Sequence, residues 1–490
     1  MTTIPLRRIA KWAGPLAALL VILLVDLDPE KPAITYTAAV ALWMVIWWLT
    51  EAVPLAVTAL LPVVAFPILK IMPGREVAGL YFNNVIFLFL GGFIVALAME
   101  RWQLHRRLAL TIIAALGSSP RRLLLGFMLA TAFLSMWISN TATTMMMVPI
   151  ALGALARLET AENNQSPRMA VALLLGIAYA ASIGGIATLI GTPPNLAFAR
   201  IYAITFPEAP EISFTGWFTF AFPLSLIFLA LAWGGLSTWA SWRRPAAEID
   251  RKLFADELAG LGPMSREERL VLVHFVALAL LWLTRGDVNL GSITVRGWGS
   301  LLGLSGYVDD GTVAVAVAVS LFLFPSDRSP SGRLMDWRTA KALPWHIVLL
   351  FGGGFALARG FTVSGLSQWV GANLAGLSHY PPVLIVATLC LAVTFLTELT
   401  SNTATAELLL PVLAAVAVSI DIHPLMLMVP ATISASCAFM MPVATPPNAI
   451  VFGTDRLTIP QMARMGIMLN LTGVVLITAA LFILGGVLMP

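Results

Sequence analysis

Two kinds of short polar motif recur within long apolar stretches of this 490-residue sequence. The motif SNTAT occupies residues 139–143 and again 401–405, and the motif TPPN occupies residues 192–195 and again 445–448. Hydroxyl and amide groups are unfavourable in apolar surroundings unless they find partners. Their N–H and O–H groups can donate to an anion, and their oxygens can coordinate a small cation. The four motifs therefore predict a binding site for a charged solute.

Each TPPN motif is predicted to interrupt a helix. The first proline disfavours helical backbone at the preceding threonine, and both prolines lack a backbone N–H, so nearby carbonyl groups lose their partners. A helix that restarts after the break directs its N–H groups at an anion, while unwound carbonyls can coordinate a cation such as sodium. No motif contains lysine or arginine. A co-bound cation would then offset the charge of the anion.

The motifs lie in a chain with the composition of a membrane protein. Hydrophobic residues make up 59% and charged residues 11%, against about 45–50% and about 25% in soluble domains. Apolar runs long enough to cross a bilayer recur throughout, so the sequence predicts an all-α polytopic membrane protein without a sizeable soluble domain. The basic residues form no single block, which disfavours a nucleic-acid partner, and their distribution is a topology signal.

The apolar runs predict about 11 transmembrane helices plus two re-entrant hairpins. Most of the 29 Lys and Arg residues then fall on the inner side, as the positive-inside rule requires. The protein is predicted to lie in the cell (inner) membrane with its N-terminus cytoplasmic and its C-terminus outside. The predicted crossings include residues 52–69 and 311–324.

The stretch 121–158 has to break, because a continuous helix of that length would measure about 57 Å, nearly twice the roughly 30 Å hydrocarbon thickness of a bilayer. The natural break is the SNT turn at residues 139–141. The sequence leaves open whether that turn lies at the outer surface or at mid-depth.

The two halves of the chain are related by a fixed offset. SNTAT recurs 262 residues after its first copy, as do Pro149, at Pro411, and the segment GGF of residues 91–93, while TPPN recurs after 253 residues. Five predicted crossings separate corresponding features, and an odd number inverts the second copy. The sequence therefore predicts an inverted repeat whose two hairpins point their SNT turns at each other across a shared cavity.

The domain boundaries follow from this repeat. We predict an N-terminal helix in 1–33, a first repeat in 34–242 with hairpin 121–158 and broken helix 168–206, a cytoplasmic linker in 243–268, and a second repeat in 269–490 with hairpin 383–418 and broken helix 425–453.

Simpler interpretations exist for each motif taken alone. Ser, Asn and Thr in a membrane helix often hydrogen bond to a neighbouring helix, and a proline pair often marks a kink. The recurrence of both motifs in one register favours a binding site. Glu398 and Glu407 flank the second SNT turn. The sequence favours a paired structural carboxylate at these positions, with a proton or cation role as the alternative.

Two SNT turns, each followed by a TPPN turn, resemble the divalent-anion/sodium symporter (INDY-type) family from about Leu42 to the C-terminus. The resemblance implies a homodimeric carrier in which a scaffold part holds the dimer and a transport part slides like an elevator. It also implies which residues bind the substrate carboxylates: Ser139, Asn140, Thr141, Ser401, Asn402, Thr403, Thr445 and Pro446.

The same resemblance implies sodium as the coupling ion, bound at two sites. The first site would comprise Ser135, Ser139, Asn140 and Gly191. The second would comprise Thr397, Thr400, Asn402 and Ala444. Ser135 and Thr397 are themselves 262 positions apart, in agreement with the repeat.

The leading hypothesis is a secondary active transporter for C4-dicarboxylates such as succinate, malate and fumarate, coupled to sodium. Serine opens both SNT turns, a pattern that favours dicarboxylate in this family. A sodium-independent exchanger and a citrate or sulfate carrier of the same fold are the alternatives. An anion channel would line its path with fixed charges, which the motifs lack. No catalytic residues are predicted, since no metal-ligand or nucleophile–base constellation is found in the membrane segments.

Overall fold

A computed structural model of the chain describes residues 3–116, 119–162, 167–240, 252–290 and 293–489. Helices make up nearly all of the regular secondary structure of these residues. The exception is a short antiparallel hairpin of β1 (Val288–Leu290) and β2 (Ile293–Val295) in a connecting loop. Seven helices in the described ranges are long and apolar enough to cross a membrane. The chain is thus an all-α polytopic membrane protein, as predicted.

The N-terminal region holds five helices of very different length. They are α1 (Thr3–Leu24), α2 (Pro32–Thr50), α3 (Leu55–Thr58), α4 (Leu61–Ile68) and α5 (Gly74–Gly79). The predicted crossing at 52–69 corresponds to two short helices, α3 and α4, rather than to one continuous helix, and its passage through the membrane stays a prediction. Pro62 lies in the first turn of α4, and its ring cannot be accommodated by a helix that continues from the residues before it.

The next seven helices contain the first pair of motifs. They are α6 (Asn84–Arg101), α7 (Leu104–Leu116), α8 (Pro120–Ser135), α9 (Asn140–Glu162), α10 (Pro167–Ile186), α11 (Pro193–Thr205) and α12 (Phe214–Trp239). The stretch 121–158 is divided between α8 and α9 at the SNT turn. The stretch 168–206 is divided between α10 and α11, and α11 begins at the TPPN prolines.

A connecting region separates these helices from their counterparts. It comprises α13 (Lys252–Gly260), α14 (Arg266–Leu283), α15 (Trp298–Leu301), α16 (Asp310–Leu321) and α17 (Trp337–Ala340). The predicted crossing at 311–324 corresponds to α16, which has only 12 residues and a length of about 18 Å. The total of 11 crossings stays a prediction. Part of the predicted linker 243–268 lies outside the described residues, and α13 occupies much of the remainder.

The last seven helices repeat the order of α6 to α12. They are α18 (Trp345–Ser364), α19 (Leu366–Leu374), α20 (Pro382–Thr397), α21 (Asn402–Ser419), α22 (Leu425–Ala435), α23 (Pro446–Phe452) and α24 (Ile459–Leu484). Both bounds of α20 lie 262 residues after those of α8, and α21 begins 262 residues after α9. The offset found in the sequence thus extends to the helix ends.

The two sets of helices interlock through their hairpins. α11, which follows the first TPPN turn, packs against α21, the second arm of the second hairpin. α23, which follows the second TPPN turn, packs against α9 in the first hairpin. The helix that follows each TPPN turn is therefore held against the hairpin of the other set.

Ion pairs fasten the helix ends to the connecting region. Arg101, at the end of α6, lies 2.8 Å from Asp336, and Arg107 in α7 lies 2.9 Å from Glu268. The Thr339 backbone N–H, together with Arg101, lowers the pKa of Asp336 to about 2. Because this pKa is depressed, the ionised Asp336 stabilises the folded protein at neutral pH. That stabilisation is lost only as the pH falls towards 2.

Close packing of α10 on α8 requires a glycine at position 184. A Cβ at Gly184 would overlap the backbone of Ala132, whereas a Cβ at Gly153 in α9 would meet nothing within 4 Å. We expect Gly184→Ala to lower the free energy of unfolding by about 1–3 kcal/mol, measured by thermal unfolding in detergent. Gly153→Ala is the matched control, for which a gain of about 0.5–1 kcal/mol is expected. Equal effects of the two variants would contradict the packing described.

Candidate substrate and cation site

The SNT motifs form the turns of the two hairpins. α8 ends at Ser135 and α9 begins at Asn140, while α20 ends at Thr397 and α21 begins at Asn402. The Ser139 hydroxyl accepts a hydrogen bond of 3.2 Å from the Ala142 N–H. Five of the six SNT side chains are half-buried, namely Ser139, Asn140, Thr141, Ser401 and Asn402. The sixth, Thr403, is buried. Both tips therefore keep part of their polar surface accessible.

Oxygen atoms converge beside the first tip. The Ser135 hydroxyl lies 2.5 Å from Asn140 Oδ1 and 2.7 Å from the Ala181 carbonyl oxygen. The same Asn140 amide atom lies 3.1 Å from Ala181 O and 3.3 Å from Gly191 O. The tight approach requires Gly185, because a Cβ there would lie 2.7 Å from Asn140 Oδ1. Ser135, Asn140 and Gly191, three of the four predicted ligands of the first sodium site, are thus brought together.

The second tip repeats part of this geometry. The Thr397 hydroxyl lies 2.7 Å from Asn402 Oδ1 and 2.8 Å from the Ala435 carbonyl oxygen. Thr400, by contrast, directs its hydroxyl to Leu396 O at 3.0 Å and to Thr405 Oγ1 at 2.6 Å. Its side chain is therefore engaged away from the Asn402 amide.

The predicted residues of the second TPPN turn lie at the start of α23. Thr445 precedes the helix, and its hydroxyl accepts a hydrogen bond of 3.3 Å from the Asn448 N–H. Pro446 is the first residue of α23, and Ala444 donates its N–H to Met441 O at 3.2 Å. These three residues thus form the end of the unwound segment that joins α22 to α23.

The asparagine of each TPPN motif braces the unwound segment before it. Asn195 Nδ2 donates to the carbonyl oxygens of Gly185 and Thr188, at 3.2 and 2.8 Å. Asn448 Nδ2 donates to those of Ala438 and Met441, both at 3.0 Å. Both asparagines belong to motifs that the sequence singles out, yet neither is among the site residues predicted from it. The sequence holds one signal for this role: Asn195 and Asn448 are 253 positions apart, and so are the residues whose carbonyl groups they contact.

Glu398 braces the second unwound segment from the other side. Its carboxylate accepts hydrogen bonds from the N–H groups of Phe439, Met440 and Met441, at 2.7, 2.8 and 3.0 Å. Asn470 in α24 donates a fourth, at 2.8 Å. Glu398 thus has the partners that a structural carboxylate needs. These partners are backbone N–H groups and a side-chain amide, and none of them is a cationic side chain. No sequence signal identified these partners, which lie some forty and seventy residues away.

Removal of the Glu398 carboxylate leaves its buried donors without acceptors. We expect Glu398→Ala to lower the free energy of unfolding by about 1–3 kcal/mol for each donor left unpaired. Glu208→Ala, at a loop carboxylate, is the control and should leave the unfolding temperature unchanged. If Glu398→Ala unfolds at the wild-type temperature, Glu398 does not support the unwound segment.

Fold and site together define a membrane transporter: two sets of hairpin and broken helix converge on polar turns inside a polytopic helical protein. The family described as the sodium:sulfate symporter transmembrane region matches residues 7–489. The chain belongs to this family, and it is a transporter rather than an enzyme.

Similar proteins include the sodium-dependent dicarboxylate transporter SdcS of Staphylococcus saprophyticus, 42% identical over 484 residues that cover 96% of this chain and 90% of the relative. SdcS of Staphylococcus aureus is 42% identical over 477 residues, covering 96% of this chain and 89% of the relative.

Two solved structures share the fold. The YdaH transporter of Alcanivorax borkumensis has a TM-score of 0.57 and 15% sequence identity, covering 91% of this chain and 98% of its own. MtrF of Neisseria gonorrhoeae has a TM-score of 0.53 and 14% identity, covering 85% and 83%. At this level of identity the likeness concerns the fold alone.

Proposed function

We propose that the protein carries C4-dicarboxylates such as succinate, malate and fumarate across the cell membrane, coupled to sodium. The observation that carries the proposal is the 42% identity, over nearly the whole chain, to relatives named as sodium-dependent dicarboxylate transporters. The two oxygen-lined hairpin tips supply a site of the kind such a function needs.

The first oxygen cluster fits a sodium ion. With its oxygen turned inward, the Asn140 amide would place that oxygen 2.5 Å from Ser135 Oγ, 3.1 Å from Ala181 O and 3.3 Å from Gly191 O, a cluster of acceptors that a cation would stabilise. With its nitrogen turned inward, the amide would donate hydrogen bonds to these same oxygens. Thr397, Asn402 and the Ala435 carbonyl are the corresponding groups at the second tip.

Sodium would supply positive charge next to the substrate. The substrate carboxylates would contact the SNT turns, where α9 and α21 begin and their N–H groups carry partial positive charge. Thr445 and Pro446 would complete the contact from the second TPPN turn. Neutral donors bind a dianion without holding it permanently, so release on the other side stays possible.

Alternating access would follow an elevator mechanism. The transport part would comprise 121–206 and 383–453, and the remainder would form the scaffold of a homodimer. The two repeats, 34–242 and 269–490, would be inverted relative to each other, with a helix in 1–33 before them and a linker at 243–268. The N-terminus would be cytoplasmic and the C-terminus outside.

Alternatives differ in coupling or in substrate. A sodium-independent exchanger of the same fold would use the same turns. Sulfate is favoured as a second candidate substrate by the description of the family, and citrate is the next. Uptake of labelled succinate into proteoliposomes separates these cases. Uptake under an inward sodium gradient supports symport. Uptake only into sodium-free vesicles preloaded with succinate means exchange, and none in either would favour sulfate or citrate.

Substitution of either tip asparagine tests the site. We expect Asn140→Ala and Asn402→Ala each to abolish succinate uptake at ordinary sodium concentrations, because loss of a group that binds the cation should cost at least the roughly 10–100-fold in affinity that loss of an outer partner of a metal ligand costs. Uptake should partly recover at high sodium concentration if the cation site is what has been weakened.

The matched control for these two variants is Asn373→Ala. Asn373 lies on α19, where its amide donates only to the Trp369 carbonyl in an exposed position, and its replacement should leave uptake unchanged. Wild-type rates in folded Asn140→Ala and Asn402→Ala proteins would rule out the assignment of the tips.

A further inference from the structure

Glu407 is a buried carboxyl group without a partner. It lies in α21, four residues after Thr403, and its side chain is 0% exposed. Neither carboxyl oxygen has a hydrogen-bond partner, and no ion pair with Glu407 occurs among the residues that the structure describes. The group takes no part in the contacts of the hairpin tip described above.

Three consecutive glycines of α18 make room for this carboxyl group and its neighbours. A Cβ at Gly352 would overlap the Tyr81 ring, and one at Gly353 would lie 2.5 Å from Ala59 O. A Cβ at Gly354 would lie 2.6 Å from Glu407 Cδ and 2.8 Å from its Oε2. The carboxyl group therefore packs directly against the backbone of α18, at the contact between the second hairpin and the helices around α2 to α4.

None of the titratable groups on the described elements around Glu407 forms a hydrogen bond or an ion pair with it. The Tyr81 side chain is close enough to interact electrostatically with Glu407, but its hydroxyl donates to the Ala59 carbonyl. The other titratable side chains on helices packed against α21 form no hydrogen bond or ion pair with Glu407 within the described part of the chain. They are Tyr36 on α2, Arg200 and Tyr202 on α11, His346 and Arg359 on α18, and Cys390 on α20.

An ionised carboxylate is very unfavourable in such a site, because nothing replaces the water that it loses on burial. A neutral carboxyl group, which carries its own proton, is the form compatible with this packing. A residue needed only for packing would be apolar, as Met145 is at the corresponding position of the first hairpin. Met145 is 60% exposed, so the two hairpins differ here in burial as well as in chemistry.

We propose that Glu407 is a proton-binding site of the transport cycle. Its carboxyl group holds a proton while α21 is packed on α18, and it releases that proton to water when the hairpin moves away from the scaffold. The inference rests on the proposed function, since it needs a hairpin that moves. The sign follows from linkage: the packed state binds one more proton, so raising the pH favours the state in which Glu407 reaches water.

Transport measurements on Glu407→Gln test the proposal, because glutamine has nearly the shape of glutamic acid and cannot ionise. We compare initial rates of succinate uptake in proteoliposomes at saturating sodium, from mildly acidic to mildly alkaline pH. The ratio of wild-type to variant rate removes the titration of succinate itself. We expect this ratio to change with pH, by up to about tenfold per pH unit, the limit for one proton.

Glu208→Gln provides the matched control, since it makes the same change at a carboxylate in the loop before α12. Its ratio to the wild-type rate should be constant across pH. A constant ratio for Glu407→Gln as well would overturn the proposal.

Infrared spectroscopy of the purified protein gives a second readout that does not depend on transport. A protonated Glu407 should give a carboxyl C=O stretching band at neutral pH that is absent from Glu407→Gln. If that variant does not fold, Glu407→Met, with the residue of the first hairpin, replaces it. Identical spectra of the wild-type protein and the folded variant would overturn the proposal. Absence of uptake by the wild-type protein would instead refute the proposed function, while the infrared band would still decide whether Glu407 holds a proton.

Discussion

Every backbone group that is freed where a helix breaks inside a membrane must find its partner within the protein. The site of this transporter depends on that constraint. Asn195 and Asn448 satisfy carbonyl groups of the two unwound segments, and Glu398 satisfies three N–H groups of the second. These bonds hold the breaks open, so that polar backbone and side-chain groups can face a solute instead of continuing a helix.

The two halves meet this constraint in a partly symmetric way. The hydroxyls of Ser135 and Thr397 contact corresponding asparagines and corresponding segments of the broken helices. Beyond that contact they diverge, since the position equivalent to Glu398 is Met136, whose carbonyl accepts a hydrogen bond from Thr188 instead. The tips are thus the shared element, and the contacts that support them differ between the two halves.

A second asymmetry lies where the second hairpin packs against α18. The glycines of α18 allow the closest contact there, and Glu407 is the one ionisable residue of α21. Closely packed interfaces tend to switch between discrete arrangements, because they do not deform gradually. A carboxyl group at such a contact links the position of the hairpin to the binding of a proton.

The sequence by itself determined the membrane class, the repeat and the position of both helix breaks, because apolar length and proline chemistry are local properties. The offset of 262 even predicted the start of α21 from that of α9. Only the tertiary structure decided which groups meet at the tips. In it, Ser135 contacts Ala181, Thr400 hydrogen bonds to groups other than Asn402, and Glu398 accepts from its four donors. Such contacts join residues that are distant in the chain, and local pattern carries no record of the packing that brings them together.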